Sequence, residues 1–251
     1  MGTDFKKPVI FFRGVDIVKE QNLILSDLNL SIYQNDFVYL TGKVGSGKSS
    51  IIKTIIGDIP VKKGEAYVSG FHLQKLKNKQ IPLLRRKLGV IFQDFQLLSD
   101  RSIADNFRFI LNATEKRSKK EIEKIISESL KSVGLELKAH KMPHQLSGGE
   151  QQKISIARAL LNNPEVILAD EPTSNLDVES ADEVMNLLIN IHKRGEIAVV
   201  IVTHNKNLLQ KYPGRVYLCE NLDCTEIISP NEIDFINLQG IEEQPFELDE
   251  Y

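Results

Sequence analysis

Residues 42–49 read Gly-Lys-Val-Gly-Ser-Gly-Lys-Ser, between an apolar run at Phe37–Thr41 and an apolar helical pattern at Ile51–Ile56. No other feature of the chain narrows its fold as far. The spacing is G-x-x-x-x-G-K-[ST], and a strand before it with a helix after it is the setting in which that pattern binds phosphate. The glycines let the backbone bend so that N–H groups of Gly42, Lys43, Val44, Gly45, Ser46 and Gly47 line one concavity, closed by the helix start at Lys48, Ser49 and Ser50. Lys48 brings a point charge to the β- and γ-phosphate oxygens, and Ser49 brings a hydroxyl to Mg²⁺. A glycine-rich turn of purely structural use is the plainer alternative, and the flanking elements weigh against it.

A loop of this kind needs a metal-holding carboxylate at the end of a nearby strand. Val166-Ile167-Leu168-Ala169-Asp170-Glu171 has the required form, four apolar residues followed by two acids. Asp170 is placed for the Mg²⁺ shell, and Glu171 for orienting the attacking water or taking its proton. The alternative, two acids capping the turn before Pro172, loses weight beside the loop.

Two more apolar runs, Leu88–Phe92 and Ile197–Thr203, are continuous rather than alternating, as strands buried on both faces should be. Alternation of such runs with helical patterns predicts an α/β protein around a central sheet. Val9–Val15 and Leu23–Ile32 read as further β segments, separated by a polar turn through Lys19–Asn22. Residues 102–161 carry helical patterns only, which predicts a separate helical lobe. Within it Ile122, Ile125, Ile126, Leu130 and Val133 repeat at three and four until Gly134 stops the helix, and Lys116, Arg117, Lys119 and Lys120 read as its solvated start. No stretch approaches the roughly 20 apolar residues of a membrane span, and Met1–Lys7 lacks the apolar core of a secretory leader. The chain is therefore expected in the cytosol, with Cys219 and Cys224 as reduced thiols lacking a second pair for a zinc site.

The formal net charge is −2, which argues against a strongly cationic nucleic-acid binder. That value hides a division. Ten of the 34 carboxylates and none of the 32 Lys and Arg residues lie in 216–251, which leaves the preceding body at +8.

Leu146-Ser147-Gly148-Gly149-Glu150-Gln151-Gln152 resembles the signature of the ATP-binding cassette (ABC) ATPases, and Ser147 stands 99 residues after Lys48, as that family spaces it. Physically the segment is also a capping box, with Ser147 capping the helix Glu150–Leu161 and Glu150 reaching back. Both readings can hold together. The resemblance implies a P-loop fold with a RecA-like core, an antiparallel β subdomain and a helical subdomain, spanning residues 1–228 as one ATPase domain. It further implies Mg²⁺-dependent ATP hydrolysis in a homodimer, where Ser147, Gly148 and Gly149 of one copy meet the phosphate loop of the other. Gln93 looks like the glutamine that senses Mg²⁺ and γ-phosphate. Ser174-Asn175-Leu176-Asp177 looks like the loop crossing the dimer interface, with Asp177 also suited to cap a helix whose buried stripe includes Val178, Ala181, Val184, Leu187, Leu188 and Ile191. His204 looks like the histidine that contacts γ-phosphate, beside Lys48 and Glu171.

Finer features, among them Gln93-Asp94-Phe95-Gln96-Leu97-Leu98-Ser99-Asp100-Arg101, are similar to the cell-division (FtsE) branch of the family. That branch implies the membrane protein FtsX or a related permease as partner, peripheral attachment to the cytoplasmic face of the membrane, and control of cell-wall hydrolysis. The alternatives are an ATPase subunit of lipoprotein-releasing or macrolide-efflux type, and a soluble ABC protein acting on ribosomes or DNA. The last is disfavoured because such proteins usually carry two cassettes or a coiled-coil insert. Two departures stand out. The family stacks adenine on an aromatic residue after the first strand, where this chain has Val18 between Ile17 and Lys19, and this predicts weak discrimination between ATP and GTP. Residues 229–251 form an acidic extension outside the resemblance, expected to be mobile.

Overall fold

A computed structural model describes residues 7–115, 117–195 and 197–227. The expected extension at 229–251 lies outside the described residues. Six strands form the central sheet: β3 (Phe37–Thr41), β6 (Leu88–Ile91), β7 (Val166–Asp170), β8 (Ala198–Val202), β9 (Arg215–Glu220) and β10 (Asp223–Ile227). Their spatial order is β10-β9-β3-β8-β7-β6. All pairs are parallel except the β9–β10 hairpin. A second, antiparallel sheet has the order β2-β1-β4-β5, built from β1 (Ile10–Lys19), β2 (Asn22–Ile32), β4 (Glu65–Val68) and β5 (Phe71–His72).

The continuous apolar runs have a direct structural cause. Along β7, Val166 and Leu168 enter one core cluster while Ile167 and Ala169 enter another, and β8 divides Val200 and Val202 from Val199 and Ile201 in the same way. Side chains alternate across a strand, so a strand covered on both faces must be apolar at every position. One cluster lies between the two sheets with helix α1 (Lys48–Ile55), and the other packs under α6 (Val178–Arg194). Val178, expected in the buried stripe of α6, is instead 82% exposed, because that helix seats itself through Val184, Met185 and Leu188.

A third cluster belongs to α3 (Ile103–Thr114), α4 (Lys119–Ser132) and α5 (Gly148–Ala159). These helices are fixed by local rules as well as by packing. Ser118 with Glu121, and Ser147 with Glu150, form complete capping boxes at the starts of α4 and α5. Gly134 follows α4 at φ +72°. Short helices α2 (Ile81–Arg86) and α7 (Lys206–Lys211) complete the set among the described residues. None of the helices among the described residues is long and apolar enough to cross a membrane.

The two cysteines correct the expectation of free thiols. Cys219 and Cys224 face each other across the β9–β10 hairpin, both buried, and are joined by a disulfide. The turn at Asn221–Leu222, both at positive φ, brings residues five apart into register. A reading by zinc-site spacing had no reason to consider that geometry.

Candidate functional site

Neighbouring parallel strands deliver the site. The loop after β3, His204 after β8, Asp170 and Glu171 at the end of β7, and Gln93 after β6 all emerge at the carboxyl edge of the sheet, in the strand order β3-β8-β7-β6. This edge is where open α/β sheets bind ligands. A cleft of about 450 Å³ opens there, lined by residues 44–50 of the loop, by Gln93, Asp170, Glu171 and His204, and by Lys19, Ile24 and Val202.

The loop is shaped for an anion. Helix α1 begins behind Gly47, which sits at φ +99° and offers no side-chain cap, so the first N–H groups of the helix have no capping side chain. Gly42 stands behind the cleft at φ +139°, and a Cβ there would lie 2.1 Å from the Cys219 carbonyl oxygen. Only glycine fits that approach. The Lys48 ammonium is buried and donates to the carbonyls of Gly42 at 2.8 Å and Lys43 at 2.7 Å. Those two residues thus shape the loop through Lys48 rather than by lining the cleft. Burial holds the Lys48 pKa below its ordinary value, with Glu171 and Asp170 opposing that shift; an anion entering the cleft would relieve the same burden.

Ser49 Oγ donates to Asp170 Oδ1 at 3.1 Å. Burial raises the Asp170 pKa and the neighbouring Glu171 adds to it, against the Ser49 hydrogen bond and the two lysines, Lys53 and Lys48. A hydroxyl beside a carboxylate that is uncomfortable as a bare anion, with the Gln93 amide on the same cleft, is a set of hard oxygen donors that fits Mg²⁺. No group of three His, Cys, Asp or Glu among the described residues could hold a metal unaided.

Glu171 and His204 form a pair that sequence reading treated as separate residues. His204 Nδ1 lies 2.6 Å from Glu171 Oε1. Glu171 holds φ +48°, a left-handed conformation rare outside glycine, fixed by its N–H donating to the Val202 carbonyl at 2.9 Å. That backbone turn aims the carboxylate back over the cleft.

The remaining expected positions lie away from this cleft. Ser147, Gly148, Gly149 and Asp177 do not line this cleft. Ser147 caps α5, accepting from Glu150 N–H at 3.2 Å, and Asp177 caps α6, accepting from Ser180 N–H at 2.9 Å. The Ser180 bonds hold the Asp177 pKa below the usual carboxylate value. Asn175 beside it reaches back, its Nδ2 donating to the Gln93 carbonyl at 3.1 Å. Lys19 and Ile24, not Val18, are what the β1–β2 hairpin contributes to the cleft. The turn at Glu20–Gln21, both at positive φ, decides which residue faces the cleft, and no motif marks it.

Residues 25–174 match the model of the ABC transporter family. The cell division ATP-binding protein FtsE of Streptococcus pneumoniae D39 is 39% identical over 209 residues, covering 82% of this chain and 90% of that protein. The methionine import ATP-binding protein MetN of Clostridioides difficile is 36% identical over 218 residues, covering 87% of this chain and 68% of its own length. Among solved structures, the dimeric post-hydrolysis state of the ATP-binding cassette MJ0796, bound to ADP and phosphate, superposes with a TM-score of 0.77 at 32% identity, covering 87% of this chain and 97% of that one.

Proposed function

Since this chain belongs to the ABC transporter family, as an FtsE-like ATP-binding and ATP-hydrolysing subunit, we propose that it works as a nucleotide-driven homodimer attached to a membrane partner. The observation that carries the reading is the convergence on one cleft of Lys48, the Ser49–Asp170 pair and the Glu171–His204 pair. In the proposed site Lys48 exchanges its two loop carbonyls for β- and γ-phosphate oxygens, and the loop N–H groups from Val44 to Ser49 hold the rest of the phosphate chain. Ser49, Asp170 and Gln93 would hold Mg²⁺, which would supply charge neutralisation for the phosphates. Glu171 orients the attacking water and accepts its proton, and His204 fixes the Glu171 carboxylate while facing the γ-phosphate.

Ser147, Gly148 and Gly149 stand outside their own chain's cleft at the start of α5, where Ser147 is exposed, Gly148 half-buried and Gly149 buried, so an anion held there would come from a second copy. The dimeric form of the MJ0796 cassette supports a homodimer here, in which Asp177 would stand at the seam. ATP closes the dimer and hydrolysis reopens it. Glu171→Gln is expected to lower kcat by about 10²-fold or more and to leave an ATP-loaded dimer on a sizing column. Normal turnover, or a monomer in ATP, would remove Glu171 from this role.

The FtsE relatives, cell division ATP-binding proteins by name, support a role in division; in this reading FtsX is the membrane partner on the cytoplasmic face of the membrane, and dimer closure is transmitted through it to cell-wall hydrolysis. The MetN relative favours a second reading, an ATPase subunit of a transport complex. Isolating the protein with its native partner decides between them. A membrane protein of FtsX type whose depletion blocks division supports the first, whereas a substrate-translocating permease supports the second.

A further inference from the structure

Between β6 and α3 the backbone passes through Gln93 and then turns sharply. Phe95 and Gln96 stand at φ +60° and +47°, a conformation that side-chain-bearing residues keep only where their surroundings hold them. Arg158 of α5 does the holding. Its Nη2 donates to the Phe95 carbonyl at 2.7 Å and its Nη1 to the Gln96 carbonyl, while Ser155 Oγ donates to Phe95 at 3.3 Å. Among the described residues no carboxylate forms an ion pair with Arg158. Burial pushes its pKa down to about 10, with Asp94 opposing, so it stays charged at neutral pH. A planar fork of donors suits two successive carbonyls, where a lysine could present only one point charge.

The other side of Gln93 is held as well, because Asn175 donates to its carbonyl. The helix that carries Arg158 also begins at Ser147. At that beginning, a Cβ on Gly148 would lie 3.4 Å from Leu176 and 3.9 Å from the Phe95 ring. The start of α5 thus lies close beside the Phe95 ring, while Ser155 and Arg158 further along the same helix hold the Phe95 and Gln96 carbonyls.

We propose that Arg158 is a positioning residue for Gln93: it sets where the Gln93 amide stands against Ser49 and Asp170, and it makes that loop move with the start of α5. The inference rests on the reading of Gln93 as part of the Mg²⁺ and γ-phosphate site. A merely structural arginine would change stability and nothing else.

The test compares Arg158→Lys, Gln93→Ala and their combination. Each is scored for kcat and KM, for the Mg²⁺ concentration at which a fluorescent non-hydrolysable ATP analogue reaches half of its tightened binding, and for amide hydrogen exchange over residues 94–98. Arg158→Lys is expected to leave KM nearly unchanged, lower kcat by about ten- to a hundred-fold, raise the Mg²⁺ midpoint and speed exchange in 94–98. In the Gln93→Ala background it should change kcat no further, since both substitutions act on one interaction. A kcat loss that persists undiminished in that background overturns the proposal, as does a wild-type Mg²⁺ midpoint with wild-type exchange. If Gln93→Ala alone hydrolyses ATP and responds to Mg²⁺ like the unchanged protein, it is the assignment of Gln93 that fails. Should Arg158→Lys not fold, Ser155→Ala removes one donor from the same carbonyl. It should shift kcat in the same direction by about two- to tenfold; no change in kcat or exchange then refutes the inference.

Discussion

Replacing Lys19 by tyrosine tests how the cleft holds a nucleobase. Lys19 ends β1, pairs with Asn22 across the turn, is exposed, and makes no ion pair among the described residues. A surface change of this kind shifts stability by no more than about 0.5 kcal/mol. Lys19 and Ile24 are the two lining residues that come from outside the core sheet and its loops, and no Phe, Tyr or Trp lines the cleft. A base entering this end meets one aliphatic wall and one ammonium. Stacking on an aromatic ring is worth roughly 1 to 3 kcal/mol per base; at about 1.4 kcal/mol per tenfold, Lys19→Tyr should tighten nucleotide binding by about five- to a hundred-fold. The ammonium offers donors only, which suit guanine O6 and N7 at least as well as adenine N7. The unchanged protein should therefore bind GTP within about tenfold of ATP, and the tyrosine variant should tighten both. Calorimetric titration with each nucleotide and Mg²⁺, in the Glu171→Gln background to stop turnover, reads the four constants. ATP binding a hundred-fold tighter than GTP in the unchanged protein, or a tyrosine variant with unaltered affinities, refutes the reasoning.

Asp170→Asn removes a half-buried carboxylate whose ionised form is disfavoured there, so it should raise the melting temperature of the nucleotide-free protein while abolishing Mg²⁺-dependent hydrolysis; differential scanning calorimetry and a phosphate-release assay check the two halves. Ser147→Ala loses the cap of α5 and should cost about 1 kcal/mol, or about 2–4 °C in melting temperature for a chain of this size. Glu226 is held below its ordinary pKa, chiefly by its hydrogen bond to Arg215. A carboxylate depressed in the folded state contributes stability above its unfolded pKa, and that contribution is lost as pH falls through the folded value. Glu226→Gln should therefore lower stability at neutral pH and flatten its decline on acidification, as followed by urea melts between neutral and acid pH.

Much of this site can be read before any coordinates because its chemistry is local. The loop at 42–49, the acids after Val166–Ala169 and the capping box at Ser147 each need only neighbouring residues, and each stands where those neighbours predict. What stayed hidden depends on meetings between distant segments. The Glu171–His204 contact joins the ends of two strands, and Arg158 reaches a turn 62 residues earlier. Lys19 against Val18 is a matter of a single residue in hairpin register, and a one-residue shift exchanges the faces of a strand. Val178 was misplaced because a helical stripe gives the period of burial but not where it begins. The disulfide escaped because Leu222 at φ +64° is not a residue that announces a tight turn.

Strand order also bears on how the protein is made. β9, from residues 215–220, inserts beside β3 and so borders the phosphate loop directly. Gly42 rests on the Cys219 carbonyl, and Ser26 of β2 donates to the Leu222 carbonyl at 2.7 Å. A nascent chain that has left the ribosome as far as Lys211 already displays every residue of the cleft, yet lacks the strand against which its phosphate loop is built. Such a long-range pairing is closed late. The backing of the phosphate loop is therefore completed only after residues 215–227 have been made.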